Sequence, residues 1–227
     1  VTGGAIDAFN LVEGGQIIRA TVAQPQPYTL QILSYYGESG LLGVETAPVL
    51  GALIDRFDDQ FANTLVLGEG DSYIPGPWLV AGADPSLNGL PAIGSTALGR
   101  PDIAIMNAFG TDASALGNHE FDLGSPVLQG ALAPSGRWSG ARFPFLTANL
   151  DFSADSSLRG LADASLGGTA ANSFAGAELS TLAGRIAPYA ISTQGGERIG
   201  LIGITTFELL IKSSPNGTVP KDDGDPA

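Results

Sequence analysis

The chain has 227 residues, a net charge of −13 from 23 acidic and 10 basic side chains, and no cysteine. That charge excludes recognition of nucleic acid or anionic lipid through a basic surface, and the missing thiols exclude disulfides, zinc–thiolate sites and thiol nucleophiles. With 44% hydrophobic and 15% charged residues, the chain is globular, with core enough for one large domain or two small ones, and no window approaches the ~18 continuous apolar residues of a membrane span.

In chain order, "GGQIIRATV" and "YTLQILSYY" alternate β-branched or aromatic with polar residues and predict strands. "APVLGALIDRFDDQF" places Val49, Leu50, Leu53, Ile54, Phe57 and Phe61 at helical spacing, with Pro48 near the first turn. "NTLVLGEGD" predicts a buried strand opening into a loop, and "GPWLVAGADPSLNGLPAIGSTALG" reads as loop. "RPDIAIMNAFG" predicts a helix closed by Gly110, and "TDASALGNHEFD" a strand leading into a turn. "RFPFLTANLDF" and "RIGLIGITTF" predict two more buried strands, with a Gly/Ala/Ser-rich stretch between them. The polar, turn-rich "SSPNGTVPKDDGDPA" reads as a linker or frayed end. A start at Val1, without a charged and apolar leader, reads as a processed chain, an excised domain or a fragment.

Alternating strands and helices imply an α/β fold with a largely parallel sheet, whose functional loops lie at the carboxyl ends of strands. Asp71, the Asn118–His119 turn and Asn149 all fall at such ends. His119 is the only histidine. A lone histidine is usually a surface or satisfied core residue, Asp71 and Asn118 are also turn formers after glycine, and Asp122 also suits a helix N-cap. Convergence on strand ends favours chemistry over these plainer roles.

The ordered blocks "LVLGEGDSYIPGP", "ALGNHEFDLG", "FPFLTANLDF" and "RIGLIGITT" resemble the 5′-nucleotidase-like branch of the metallophosphoesterases, over roughly residues 28–207. The resemblance implies a four-layer α/β/β/α sandwich with a two-metal site on loops at the strand ends. It implies a metallophosphoesterase-like domain over 28–212, between an N-terminal strand or linker segment (1–27) and a linker or frayed end (213–227). In such a site two hard cations clamp a phosphate and activate a water. Asp71 stands at the family's metal-bridging position and Asn118 at an amide-ligand position. His119 resembles the histidine that meets the phosphate or leaving group, and Asp122 its orienting acid.

The first block departs from that pattern. Where the family has "LLHTSDxHG" or "LLHASDxEG", this chain has "ILSYYGESGLL". Ser34 replaces a histidine, Gly37 the first metal-ligating aspartate, and Ser39 the histidine or glutamate that follows. Glu38 is the adjacent carboxylate, a substitute ligand or a solvated loop acid. The family's later histidine ligands have no counterpart among these residues, so the sandwich and its metal site are expected to be incomplete, with an apolar face or sheet edge exposed near residues 199–207. A second polypeptide, or the remainder of the same precursor, is expected to complete them, and the isolated chain to bind transition metals weakly and lack phosphatase activity.

Three readings follow. The first is an extracellular or periplasmic hydrolase of phosphomonoesters such as nucleotides, working with Mg, Mn, Ca or Zn. The second is a degenerate member acting as a structural or binding module. The third is a one-metal or calcium-dependent hydrolase using Asp71, Asn118 and Glu38. Hard oxygen ligands suit Mg, Mn or Ca, whereas Zn prefers the imidazoles that are missing.

Overall fold

A computed structural model describes residues 9–13, 16–20, 27–36, 43–72, 74–162 and 176–221. A hairpin of β1 (Phe9–Glu13) and β2 (Gln16–Ala20) precedes β3 (Gln31–Tyr35), and α1 (Gly43–Asp58) crosses over to β4 (Thr64–Gly68). Two helices, α2 (Pro77–Ala81) and α3 (Arg100–Ala108), lead to β5 (Ala113–Ala115). Then come α4 (Ser125–Leu132), β6 (Phe145–Leu146), β7 (Leu150–Asp151) and β8 (Ile186–Ala187). An antiparallel pair, β9 (Tyr189–Gln194) and β10 (Glu197–Ile202), is followed by the short α5 (Leu209–Lys212) and by β11 (Val219–Pro220), which pairs with β7.

The central sheet is parallel throughout, in the order β3-β4-β5-β6-β8. Its pleat sorts side chains to two cores. Tyr35, Val66, Phe145 and Ile186 face the layer of α1, α3 and α4, where Ile54, Ile103, Met106 and Leu128 close the larger core. Leu65, Ala113, Leu146 and Ala187 face the other way, onto Ala190 with Ile199 and Leu201 of the hairpin. β4 is therefore apolar on both faces, as a central parallel strand must be. The fold is the expected mixed α/β arrangement. Three layers are present among the described residues: helices, parallel sheet and the β9–β10 pair.

Several expectations need correction. The helix predicted over 47–61 runs from Gly43 to Asp58. Ala47 and Ile54 are buried and Leu50 packs beside them, but Val49, Leu53, Phe57 and Phe61 are exposed. Gly51 lies on the buried side, where an added Cβ would stand 3.2 Å from the Phe109 ring, so the small-residue side of α1 packs closely there. The stretch read as loop contains α2, and "SPVLQGAL" forms α4; in both, Pro supplies the first turn. "RIGLIGITTF" is buried on one side only. Ile199 and Leu201 point into the second core, whereas Ile202, Ile204 and Phe207 are well exposed. The supposed linker is tied down as far as Lys221. Thr218 is fully buried, its hydroxyl donating to Asp155, and the Lys221 backbone N–H donates to the Asn149 carbonyl.

Candidate active site

Asp71, Asn118, His119 and Asp122 lie beyond the carboxyl ends of β4 and β5, adjacent strands of the parallel sheet, and Asn149 lies beyond β6. After Gly68 the chain turns through Gly70 and Asp71 in left-handed conformations, φ 95° and 52°. Asp71 is the one residue other than glycine with positive φ among the described residues. Aspartate tolerates that region better than most side chains, at a small cost. After β5 the chain turns at Gly117 and Asn118 into a 3-10 turn, His119–Phe121. The two turns touch. A Cβ on Gly117 would collide with the Asp71 carboxylate and stand 2.6 Å from its backbone nitrogen, and one on Gly70 would stand 2.9 Å from the nitrogen of Gly117. Only glycine allows this approach.

Glu120 locks the turns together. It is fully buried, and its carboxylate accepts the backbone N–H groups of Asp71 (3.1 Å), Ser72 (2.5 Å) and Gly117 (2.8 Å). Burial pushes its pKa up to about 7; the N–H groups of Ser72 and Asp71 limit the rise and the Asp71 charge adds to it. Sequence reading gave Glu120 no role. A signal was present: a glutamate three residues after a turn-initiating residue reaches back to its N–H, half of a capping box.

The locked turns position the polar groups. Oδ1 of Asp71 accepts the backbone N–H of His119 at 3.0 Å, and Oδ2 lies 3.5 Å from the hydroxyl of Tyr36 at the end of β3. Asp71 is thereby bonded to the residue next to Asn118, whose side chain makes no capping bond. Nδ1 of His119 stands 2.6 Å from Oδ2 of Asp122, a direct contact, and the histidine side chain is one-third exposed. Burial acts to lower the imidazole pKa, but the Asp122 hydrogen bond and the charges of Asp122, Asp71 and Glu120 together raise it. The arrangement holds an imidazole in one orientation at the solvent boundary, with a carboxylate behind it.

Asn149 behaves differently. Its amide is spent on the backbone of Thr205, donating to the carbonyl (2.7 Å) and accepting the N–H (2.9 Å). The buried Thr205 hydroxyl also donates to the Leu116 carbonyl and meets Thr147. The "TAN" and "GITT" motifs thus stitch the chain beyond β10 to the ends of β5 and β6.

Glu38, with Gly37 and Ser39, lies outside the described residues. The preceding Tyr35 is turned into the core: its ring meets Phe109 edge-on at 5.5 Å, and its hydroxyl pairs with Thr111 at 2.6 Å. Among the described residues no cluster of three or more His, Asp or Glu side chains is arranged to hold a metal. Asp71 and Asn118 provide hard oxygens suited to Mg, Mn or Ca, fewer than the six or so that such an ion takes. The described residues therefore do not by themselves fit the implied two-metal centre.

No family model matches the chain. Snake venom 5′-nucleotidase of Naja atra is 32% identical over 153 residues, 67% of this chain and 21% of that protein. The probable 5′-nucleotidase of Treponema pallidum (strain Nichols) is 30% identical over 195 residues, 86% of this chain and 25% of that protein. The solved 5′-nucleotidase precursor of Thermus thermophilus matches with a TM-score of 0.60 at 27% identity, over 86% of this chain and 32% of its own. This chain is a 5′-nucleotidase-like domain. The NAD nucleotidase of Haemophilus influenzae shares the fold, with a TM-score of 0.55 at 24% identity over 86% of this chain and 30% of its own. The 5′-nucleotidase-like domain thus spans a quarter or less of these two curated relatives. No helix among the described residues is long and apolar enough to cross a membrane.

Proposed function

We propose that this domain belongs to a phosphoric-ester hydrolase acting on phosphomonoesters of the 5′-nucleotide type, and carries part of its catalytic site. The observation that supports it most is the His119–Asp122 pair at 2.6 Å, held beside Asp71 on the carboxyl edge of the sheet. A divalent metal, when bound, would neutralise the phosphate and lower the pKa of a water. In this reading Asp71 and Asn118 supply oxygens to it, with Glu38 as a further candidate ligand; Mg, Mn or Ca suits that donor set better than Zn.

The protein's own share is proton handling. Asp122 holds Nδ1–H of the ring, so that when the ring is protonated Nε2–H can donate to a phosphate oxygen or to the departing alkoxide. The raised affinity of the ring for a proton suits a donor. Completion of the metal site is assigned to a C-terminal remainder of the same precursor or to a second polypeptide, seated against the exposed edge at Ile202, Ile204 and Phe207. Venom enzymes are secreted proteins by their name, and an extracellular or periplasmic location is proposed for this one.

The test is hydrolysis of AMP by the full-length protein with and without Mn²⁺, beside the isolated 227-residue domain. Activity is expected only in the full-length protein with metal. No hydrolysis of AMP or of simple phosphomonoesters by the full-length protein would refute the catalytic reading. One feature favours the alternative, a degenerate structural or binding module: Gly37 and Ser39 stand where the resemblance implies ligands, and Tyr35 beside them serves the core.

A further inference from the structure

Asp122 has two carboxylate oxygens, and the histidine uses only one. The other, Oδ1, accepts the hydroxyl of Ser213 at 2.7 Å, from a residue 91 positions further along the chain. Ser213 is where α5 ends: its backbone N–H donates to the Leu209 carbonyl, and its extended backbone starts a strap that runs along the domain. Fully buried Leu209 anchors α5 in the main core. Beyond Ser213, Asn216 and Ser125 exchange hydrogen bonds in both directions, the Asn216 side chain accepting the Ser125 N–H at 2.9 Å and the Asn216 N–H donating to the Ser125 hydroxyl at 3.2 Å. Thr218 donates to Asp155, and β11 pairs with β7. The hydroxyl that reaches Asp122 is therefore held at both ends of its segment, by α5 before it and by the Asn216 exchange after it.

We propose that Ser213 is a positioning residue of the dyad: its hydroxyl clamps the Asp122 carboxylate so that Oδ2 stays on the His119 ring, making a Ser–Asp–His relay closed by the strap. The physical reason is rotational freedom. A carboxylate fixed only by a partly exposed imidazole can rotate about its last bond and trade that partner for water. A second donor on the opposite oxygen removes that freedom, and a hydrogen bond to a charged acceptor is among the stronger ones. This is the logic of a base oriented by a third group.

The catalytic part of the proposal rests on the hydrolase reading, whereas the clamp itself does not. Ser213→Ala, Ser213→Cys and Ser213→Thr are made in the full-length protein and the His119 ring is followed by ¹⁵N-histidine NMR, with His119→Gln used to assign its signals. The wild type should show one ring tautomer with a protected Nδ1–H. The alanine variant should lose that protection and broaden the ring signals. Cysteine, a weak donor of similar size, should do the same should the alanine variant fail to fold, and threonine should restore the wild-type spectrum. Under metal and AMP, kcat should fall about tenfold in the alanine variant with KM within about twofold, the pattern of a change that weakens the transition state and not substrate binding. A ring spectrum unchanged in both the alanine and cysteine variants overturns the clamp. Altered ring signals in a protein that never hydrolyses AMP would leave the clamp standing and refute the hydrolase reading instead.

Discussion

Two regions at the same edge of one sheet have been treated in opposite ways. The turns after β4 and β5 keep a dense polar lock: Glu120 holds three backbone N–H groups, Asp71 a fourth, and Asp122 is held from both sides. The end of β3, an edge strand, is held instead by aromatic packing. Tyr35 fills the core against Phe109, and Tyr36 lies half-exposed over Asp71 at a distance of 3.5 Å. A lock made of backbone hydrogen bonds to a buried carboxylate resists piecemeal change, because each loss strands a buried donor. A ligand on a separate loop has no such restraint.

The largest effect expected from disturbing this contrast is at Glu120. Glu120→Ala strands three N–H groups, two of them Asp71 and Ser72 in one turn, and should lower stability by about 3–5 kcal/mol in urea unfolding. A loss under ~1 kcal/mol would show that the lock is not what joins the turns. Next comes the dyad. Asp122→Asn in the active full-length protein should lower kcat about 10²-fold, the low end for general acid–base groups, with stability changed by no more than ~1 kcal/mol. An unaltered rate removes Asp122 from the mechanism. Gly117→Ala probes the contact between the turns. A methyl there meets the Asp71 backbone and carboxylate, so a destabilisation of about 2 kcal/mol is expected, read as a shift in the denaturation midpoint.

The smallest effect belongs to the other region. Tyr35→Phe removes one buried hydroxyl pair and should cost about 1 kcal/mol at neutral pH. Its pH signature separates the two regions further. Burial, opposed by the Thr111 hydrogen bond, raises the Tyr35 pKa above its ordinary value of 10.0. The folded state therefore keeps a proton that the unfolded chain releases. This contribution is intact below pH ~10 and declines as the pH rises beyond it, because the unfolded state then binds fewer protons. The phenylalanine variant should lose that part of the alkaline decline. Equal alkaline sensitivity in both proteins would mean that Tyr35 is not shielded by the core.

Periodicity and ordered motifs made four strands of the parallel sheet legible, β3 to β6; the fifth, β8 (Ile186–Ala187), falls in the Gly/Ala/Ser-rich stretch and is too short to show a pattern. Gly110, with φ of 71° after α3, ends that helix as its sequence predicts. The facing of α1 was not legible: its apolar residues fit more than one stripe, and the buried one packs Ala47, Leu50 and Ile54 into a core that includes Phe109, distant in sequence. Nor did spacing reveal α4, a short helix whose Pro126 reads as readily as a loop residue.

At the site, the amino-acid order alone was enough to identify the chemical types and their neighbourhood. Asp71, Asn118, His119 and Asp122 were nameable from their places after predicted strands together with the motif resemblance. How they are held depends on the folded arrangement. The burial of Glu120 and the contact of the Gly70 and Gly117 turns require adjacent parallel strands, and the reach of Ser213 to Asp122 across 91 positions requires the packing of α5 and its strap. Side-chain periodicity is a local property of the chain, whereas a hydrogen bond between loops exists only once the sheet has set their separation.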